Sequence, residues 1–527
     1  MHPCLCVNEI LTLIARELIA ARGGKTAVAL ACCCKGFEDL VLDVLWETQV
    51  RLIPLLQTLP EDVWSPPTWD VSVMITVLVA SSLNCFNRKF LSRPPTKQEW
   101  DRLWKYAQKV RRLYLPALPP QVLSVLQPRA LRNSLFPNLK TLTLWRVCDD
   151  SIPFIIPLVL STKTATIHFE FSEIDLHTIT VASTISAFPT LCPNLREICL
   201  NCLPRDPMIT DAVSELLLKT NQRTLRHFRA DSPLTEEAYE VICKHPDLRT
   251  LQIVVDSSAP LPTIVLPNLI NLDIEYSNGH DWLQGFSGAS LGKLVSLVIS
   301  SKSASDNFPE AFGTVALTTS IPTTLSALKF KTRHPWRPIY RSLLPFTQLK
   351  NLVIESSCHF GCSSTIDDDT VTDLARAMPR LKQLQLGNNP CKTPGGVTVK
   401  GFVALAHHCS HLLDLTIHFQ AASLDPPEMP WPRIILGSTI PQASCPLRVL
   451  NAGWIRVPEE SMLMVVLTLL RIFPRLKEFR SFDMGSENAS AAIRRSKQLI
   501  RCFCRKYLFV ALRSNTDDPS SGTGAMV

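Results

Sequence analysis

Six stretches of this chain hold residue types that could do chemistry. Gly23-Gly24-Lys25-Thr26 has the look of a phosphate-cradling loop, in which backbone amides and a lysine grip a nucleotide. Such a loop needs an upstream glycine and a preceding strand, but position 19 is Ile19 and the residues before it read as a helix. A helix-to-helix turn accounts for the two glycines. His407, His408, Cys409 and His411 form the densest group of metal-ligand types, followed by Cys358, His359 and Cys362. Zinc wants four converging ligands in two spaced pairs. Cys409 instead falls where a repeat needs a small apolar residue, and His411 stands just before a leucine strand. Cys502 and Cys504 are two apart and share no helix face. Asp149-Asp150 and Asp367-Asp368-Asp369 suit the positive end of a helix dipole. No G-x-S-x-G elbow is present. The expectation is therefore a chain with no catalytic residues, no metal and no cofactor, one that works by binding.

The elements that would position a binding surface repeat along most of the chain. Leu381-Lys382-Gln383-Leu384-Gln385-Leu386-Gly387-Asn388-Asn389 reads L-x-x-L-x-L-x-x-N, one turn of a leucine-rich repeat. The phrase recurs with Leu, Ile or Phe at its apolar places from Leu139, Leu195, Leu248, Leu269, Leu294, Leu325, Leu349 and Leu412, and its first half recurs at Leu225 with Phe228, Leu447 with Leu450 and Leu476 with Phe479. Thr166-Ile167-His168-Phe169 fills the gap after Leu144, and Val110 to Leu115 is a candidate first strand. Helical stretches lie between, at 214–219, 236–244, 370–378 and 399–408. The terminal asparagine survives only at Asn389, so an irregular α/β solenoid is expected, with parallel strands on its concave side and helices on its convex side. Strand alternation sends the leucines inward and leaves Trp145, Asn201, Asp273, Glu275, Lys329, Lys331, Glu355, Gln383, Gln385, Asp414 and His418 on the concave face. Of these, Trp145, Asp273, Glu275, Lys329, Lys331, Gln383 and Gln385 are the substrate-binding candidates.

Composition agrees. The chain has 527 residues, 46% of them hydrophobic, too many for one core and enough for a repeat array. Its formal charge is +8, but Lys and Arg are interspersed with acids and no basic run or aromatic-basic alternation appears, so nucleic acid is not an expected partner. The 18 cysteines read as reduced thiols at leucine-like positions, and no secretory leader precedes them. No apolar run reaches the roughly 20 residues of a membrane helix. A cytoplasmic or nuclear protein is expected.

The first fifty residues read as three short helices, through Ile10, Leu11, Ile14 and Leu18, then Val28 and Leu30, then Leu40 to Trp46. Here Asn8-Glu9-Ile10-Leu11, Ala29 to Phe37 and Leu42-Asp43-Val44-Leu45-Trp46 resemble an F-box, and the chain as a whole resembles fungal F-box proteins with leucine-rich repeats. Cys6-Val7 stands where that family has Leu-Pro. The resemblance implies a domain order of F-box at 1–50, helical connector at 51–105, solenoid at 106–510 and a disordered tail at 511–527. It further implies a Skp-type adaptor, and through it a cullin scaffold, docked on Cys6, Val7, Glu9, Ile10, Leu11, Ile14, Leu18, Leu30, Phe37, Leu45 and Trp46. The implied role is substrate recognition for an SCF-type ubiquitin ligase; the alternative is a binding scaffold whose altered box recruits no ligase. In the connector, Thr96 and Glu99 form a capping signature, and Trp64, Trp69, Trp100 and Trp104 are expected to pack the box against the repeats.

Overall fold

The structure is a computed structural model. It describes residues 7–21, 23–63, 93, 95–116, 134–147, 152–171, 177–221, 223–255, 262–276, 285–286, 288–301, 324–332, 340–356, 366–387, 396–417, 445–451, 468–469 and 472–480. Asn389, His418, Cys6, Trp64, Trp69 and the tail lie outside them. The chain forms two compact units, Met1–Val255 with Val265–Leu269, and Asp256–Ile264 with Ile270–Val527.

The first unit opens with helices α1 (Asn8–Ala20), α2 (Gly24–Cys33) and α3 (Lys35–Glu47). Leu11, Ala15, Ala27, Ala31, Phe37 and Val41 fill their shared core. Alanine at three of these six sites lets short helices approach closely. Gly23 makes the sharp turn from α1 to α2: a Cβ there would sit 2.8 Å from the Leu18 carbonyl oxygen. The glycine pair thus serves the turn. A short strand β1 (Thr48–Gln49) follows, then α4 (Ile53–Leu56) and α5 (Lys97–Ala107). Thr96 and Glu99 cap α5 reciprocally: Glu99 N donates to Thr96 Oγ1 at 3.4 Å and Thr96 N to Glu99 Oε2 at 2.6 Å. Arg93 pairs with Glu99 and holds that carboxyl down to about 2.

The repeat strands of this unit are β2 (Arg112–Pro116), β3 (Thr141–Val147), β4 (Thr166–Phe171), β5 (Glu197–Asn201), β6 (His227–Ala230) and β7 (Thr250–Val255). Each pairs in parallel with the next in chain order, from β1 onward. Between them run α6 (Ile152–Val159), α7 (Thr178–Leu191), α8 (Pro207–Lys219) and α9 (Glu236–Cys243), each touching its successor. The second unit repeats the plan with β8 (Asn271–Tyr276), β9 (Ser296–Ser301), β10 (Ala327–Thr332), β11 (Asn351–Ser356), β12 (Gln383–Leu386), β13 (Asp414–Ile417), β14 (Val449–Asn451) and β15 (Glu478–Arg480). These also pair in parallel in chain order. Among the described residues its helices include α10 (Tyr340–Leu343), α11 (Asp368–Ala377) and α12 (Val399–His408). This is the ladder of a leucine-rich-repeat solenoid.

The physical reason is visible in the register. Leu142 faces Ile167, which faces Ile198, then Phe228 and Leu251, so each phrase stacks its leucine on the previous one. The same row in the second unit runs Leu272, Leu297, Leu328, Leu352, Leu384, Leu415, Leu450 and Phe479, all buried. Each such side chain removed from water stabilises the fold by about 1.5–3 kcal/mol. Where the phrase lacks its first leucine, Thr164 takes the place, fully buried, its hydroxyl 3.3 Å from the Leu139 carbonyl oxygen. Cys409, three positions before Leu412, is also buried, 3.7 Å from the carbonyl oxygens of Ala375 and Met378, and burial pushes its thiol up to about 12.

The acidic run at 367–369 is explained by capping. Asp367 accepts from Thr370 N at 2.9 Å at the start of α11. Asp368 reaches the next repeat, accepting from Thr398 N at 2.7 Å and Gly401 N at 3.0 Å at the start of α12. A Cβ on Gly401 would come within 2.7 Å of that carboxylate. Among the described residues, no helix is long and apolar enough to cross a membrane.

Candidate functional site

Two surfaces of this fold could bind a partner: the helical bundle and the outward faces of the strands. On the bundle, Val7, Ile10 and Leu13 are spaced by three along the start of α1 and are 41%, 37% and 59% exposed. Glu9 is exposed beside them. Ile14, Leu18, Leu30, Leu45 and Trp46 are half-buried. Leu11 and Phe37, two of the adaptor candidates, lie inside the bundle core, because a three-helix unit this small needs its largest apolar groups for itself. Leu13 and Val28, 47% exposed, carry apolar surface that the resemblance did not mark. Their exposure depends on how the helices roll against each other, which heptad spacing leaves open.

Trp46 has a partner within the chain. Its ring lies 4.9 Å from that of Tyr106 on α5, so α3 is fastened to the connector. Arg111 N donates to Glu47 O at 2.9 Å, and β1 then pairs with β2. Lys109 pairs with Asp43 on α3. The bundle is therefore clamped directly onto the first rung of the ladder. Trp100 is buried and Trp104 half-buried in α5, and the aromatic contact between the bundle and α5 runs through Trp46 and Tyr106.

On the strand face of the first unit, Trp145 stands 54% exposed, between Pro116 and Glu170 in register. One row deeper, Tyr114, Thr143, His168, Cys199, Arg229 and Gln252 face one another across β2 to β7. The His168 ring approaches Glu197 to 3.1 Å, Nε2 to Oε1, at ion-pair distance but off the angle of a full hydrogen bond. That imidazole holds the Glu197 carboxyl below its ordinary range. His227 Nδ1 lies 3.0 Å from Thr250 Oγ1, and burial, reinforced by Arg229, Arg249 and Arg226, lowers its pKa. Gln252 Nε2 donates to Asp231 Oδ1 at 3.2 Å. Asp231 also receives Cys202 N at 3.0 Å, where Cys202 turns with φ 57°. These polar contacts are the feature that the pattern of leucines did not mark. Its signal was present in the alternating x positions of Thr166-Ile167-His168-Phe169 and Glu197-Ile198-Cys199-Leu200.

The other substrate-binding candidates belong to the second unit. Asp273, Glu275, Lys329, Gln383 and Gln385 are half-buried on its strand face, and Lys331 is exposed. Lys329 Nζ meets Glu355 Oε1 at 2.6 Å, and Lys331 lies opposite Glu355 in register. Burial raises the Asp414 carboxyl on the same face. Trp145 thus sits in one unit and the remaining six candidates in the other. The arrangement offers hydrogen bonds, charge and one large aromatic, which is recognition chemistry.

No family model and no curated protein matches the chain. Among solved structures, it is similar to the crystal structure of the yeast Rad7 and Elc1 complex, over 81% of this chain and 100% of that one, at 11% identity and TM-score 0.34. It is also similar to a Bacteroides fragilis protein, over 56% of this chain and 71% of that one, at 12% identity and TM-score 0.27.

Proposed function

We propose that this chain is a non-catalytic substrate-recognition subunit of an SCF-type ubiquitin ligase, acting in the cytoplasm or nucleus. The observation that carries the reading is the outward apolar edge of α1. A bundle that has filled its own core still presents Val7, Ile10 and Leu13 to solvent, at the place where the sequence resembles an F-box. Exposed apolar groups clustered on one helix face mark an interaction site. A Skp-type adaptor, itself held by a cullin, would cover them. The clamp through Glu47, β1 and Trp46 would then hold the repeats at a set angle to the adaptor. The repeat faces would hold a protein substrate, so that the contribution to rate is positioning.

The test is co-purification of the full chain with a Skp-type adaptor. The intact chain should bind, and Ile10→Asp with Leu13→Asp should abolish binding while leaving circular dichroism unchanged. Failure of the intact chain to bind any such adaptor overturns the proposal and leaves the solenoid untouched. A second reading, a scaffold with an impaired box, is favoured by Cys6-Val7 in place of Leu-Pro. Cys6→Leu with Val7→Pro separates the two, since a large gain in adaptor affinity would show that the natural box is impaired.

A further inference from the structure

The residue just ahead of each strand sits in a row of its own. In the first unit that row is Arg111, Lys140, Ala165, Arg196, Arg226 and Arg249, basic at five of its six places. These residues are 23 to 31 positions apart in sequence where they follow one another, and read as scattered charge. The backbone joins them directly. Lys140 N donates to Arg111 O at 2.8 Å, Ala165 N to Lys140 O at 2.9 Å, and Arg196 N to Ala165 O at 2.7 Å. Arg226 N donates to Arg196 O at 2.8 Å and Arg249 N to Arg226 O at 2.7 Å. Neighbouring rungs of a sheet lie about 4.8 Å apart, so the row spans about 24 Å.

All five side chains are exposed, and among the described residues none makes an ion pair or side-chain hydrogen bond. The carboxylates nearest in sequence or register are engaged elsewhere or lie to one side. Glu47 faces Arg16 and Arg112, Glu197 faces His168, and Asp247 lies two residues before Arg249. Like charges on adjacent rungs repel each other, and nothing in the leucine core requires them. The same row in the second unit, Ile270, Val295, Ser326, Lys350, Lys382, Leu413, Arg448 and Lys477, begins with three uncharged residues and is interrupted by Leu413. The second unit's row is basic at four of its eight places, against five of six in the first.

We propose that this row binds an extended acidic polypeptide segment running across the strand ends of the first unit. About 24 Å matches roughly seven extended residues, and the carboxylates on the side facing the row could meet its arginines and lysine. Polypeptide is favoured over nucleic acid by what surrounds the row. The adjoining positions are Arg112, Thr141, Thr166, Glu197, His227 and Thr250, with no aromatic platform for base stacking. Glu197 would also repel a continuous phosphate backbone, whereas a peptide can place a neutral residue there. The inference rests on the proposed recognition role only in making the segment part of a substrate. Binding is measured without adaptor, so the two fail separately.

The experiment is fluorescence anisotropy with the full chain and a labelled Asp/Glu peptide of about ten residues, a Ser/Gln peptide of equal length and an oligothymidylate. The acidic peptide should bind, the neutral one should not, and raising salt from about 0.05 to 0.2 M should weaken binding several-fold. Arg196→Gln, Arg226→Gln and Arg249→Gln combined should weaken it roughly 10- to 100-fold. Lys350→Gln with Lys382→Gln should change it by less than about threefold. Replacing the three arginines by glutamate should abolish binding of the acidic peptide and create binding of a Lys/Arg peptide. Absence of binding, an equal loss from the lysine pair, salt-insensitive binding, or tighter binding of the oligothymidylate would each overturn the proposal.

Discussion

The two units bury the same kinds of residue and differ at their surfaces. Row for row, the first buries Leu142, Ile167, Ile198, Phe228 and Leu251, and the second Leu272, Leu297, Leu328, Leu352 and Leu384. At the residue before each strand, the first carries Arg111, Lys140, Arg196, Arg226 and Arg249, while the second opens with Ile270, Val295 and Ser326. On the strand face, the first unit sets His168 beside Glu197, His227 beside Thr250 and Gln252 against Asp231. The second relies on Lys329 with Glu355 and on amides. Burial leaves an inward position few acceptable residue types, whereas an outward position costs little whatever it holds. The inward rows therefore identify the architecture and the outward rows distinguish one unit from the other.

The strongest way to break this comparison is to cut the same core position in both units. Leu251→Ala and Leu384→Ala should each cost about 2–5 kcal/mol, read from chemical denaturation. Both side chains are at most 1% exposed. A loss confined to one unit would mean that the cores are not equivalent.

His245 sharpens it at the next level. This residue is 1% exposed, with neither ring nitrogen hydrogen-bonded, and stands three positions before Leu248. Phe136, Phe346 and Phe473 occupy the same place before Leu139, Leu349 and Leu476. His245→Phe should raise stability by about 1–3 kcal/mol, because it removes an unsatisfied buried polar group. Burial lowers the His245 pKa from its ordinary 6.5, so below that pH the unfolded chain binds more protons than the folded one. Stability is present above pH 6.5 and lost as pH falls toward the folded-state pKa. Thermal melts of the wild type should show that loss, and the phenylalanine variant should show less of it. An unchanged pH profile would mean that His245 finds a partner in solution.

The smallest effect belongs to Lys329 and Glu355, about a third and a quarter exposed. A double-mutant cycle should give a coupling below about 1 kcal/mol. A larger value would mark the second unit's face as more than a solvated surface.

Much of this was legible without a fold. Periodic leucines announce parallel strands because only stacked repeats bury them, and Thr96 with Glu99 announced the start of α5 because capping is local chemistry. Val399–His408 was readable as a helix for the same reason. Helix α7 at Thr178–Leu191 was not, since its isoleucines, threonines and Val181 favour strands in isolation and packing against α6 and α8 makes it helical. The adaptor candidates divide along the same line. Sequence marks Leu11 and Ile10 alike as apolar, but only the rotation of α1 in the bundle buries one and exposes the other.

The sequence by itself determined the ladder, because a core residue every few positions is a local and repeated requirement. Only the tertiary structure decided what the charges mean. Arg111 and Arg249 lie far apart along the chain, and strand register alone brings them into one row.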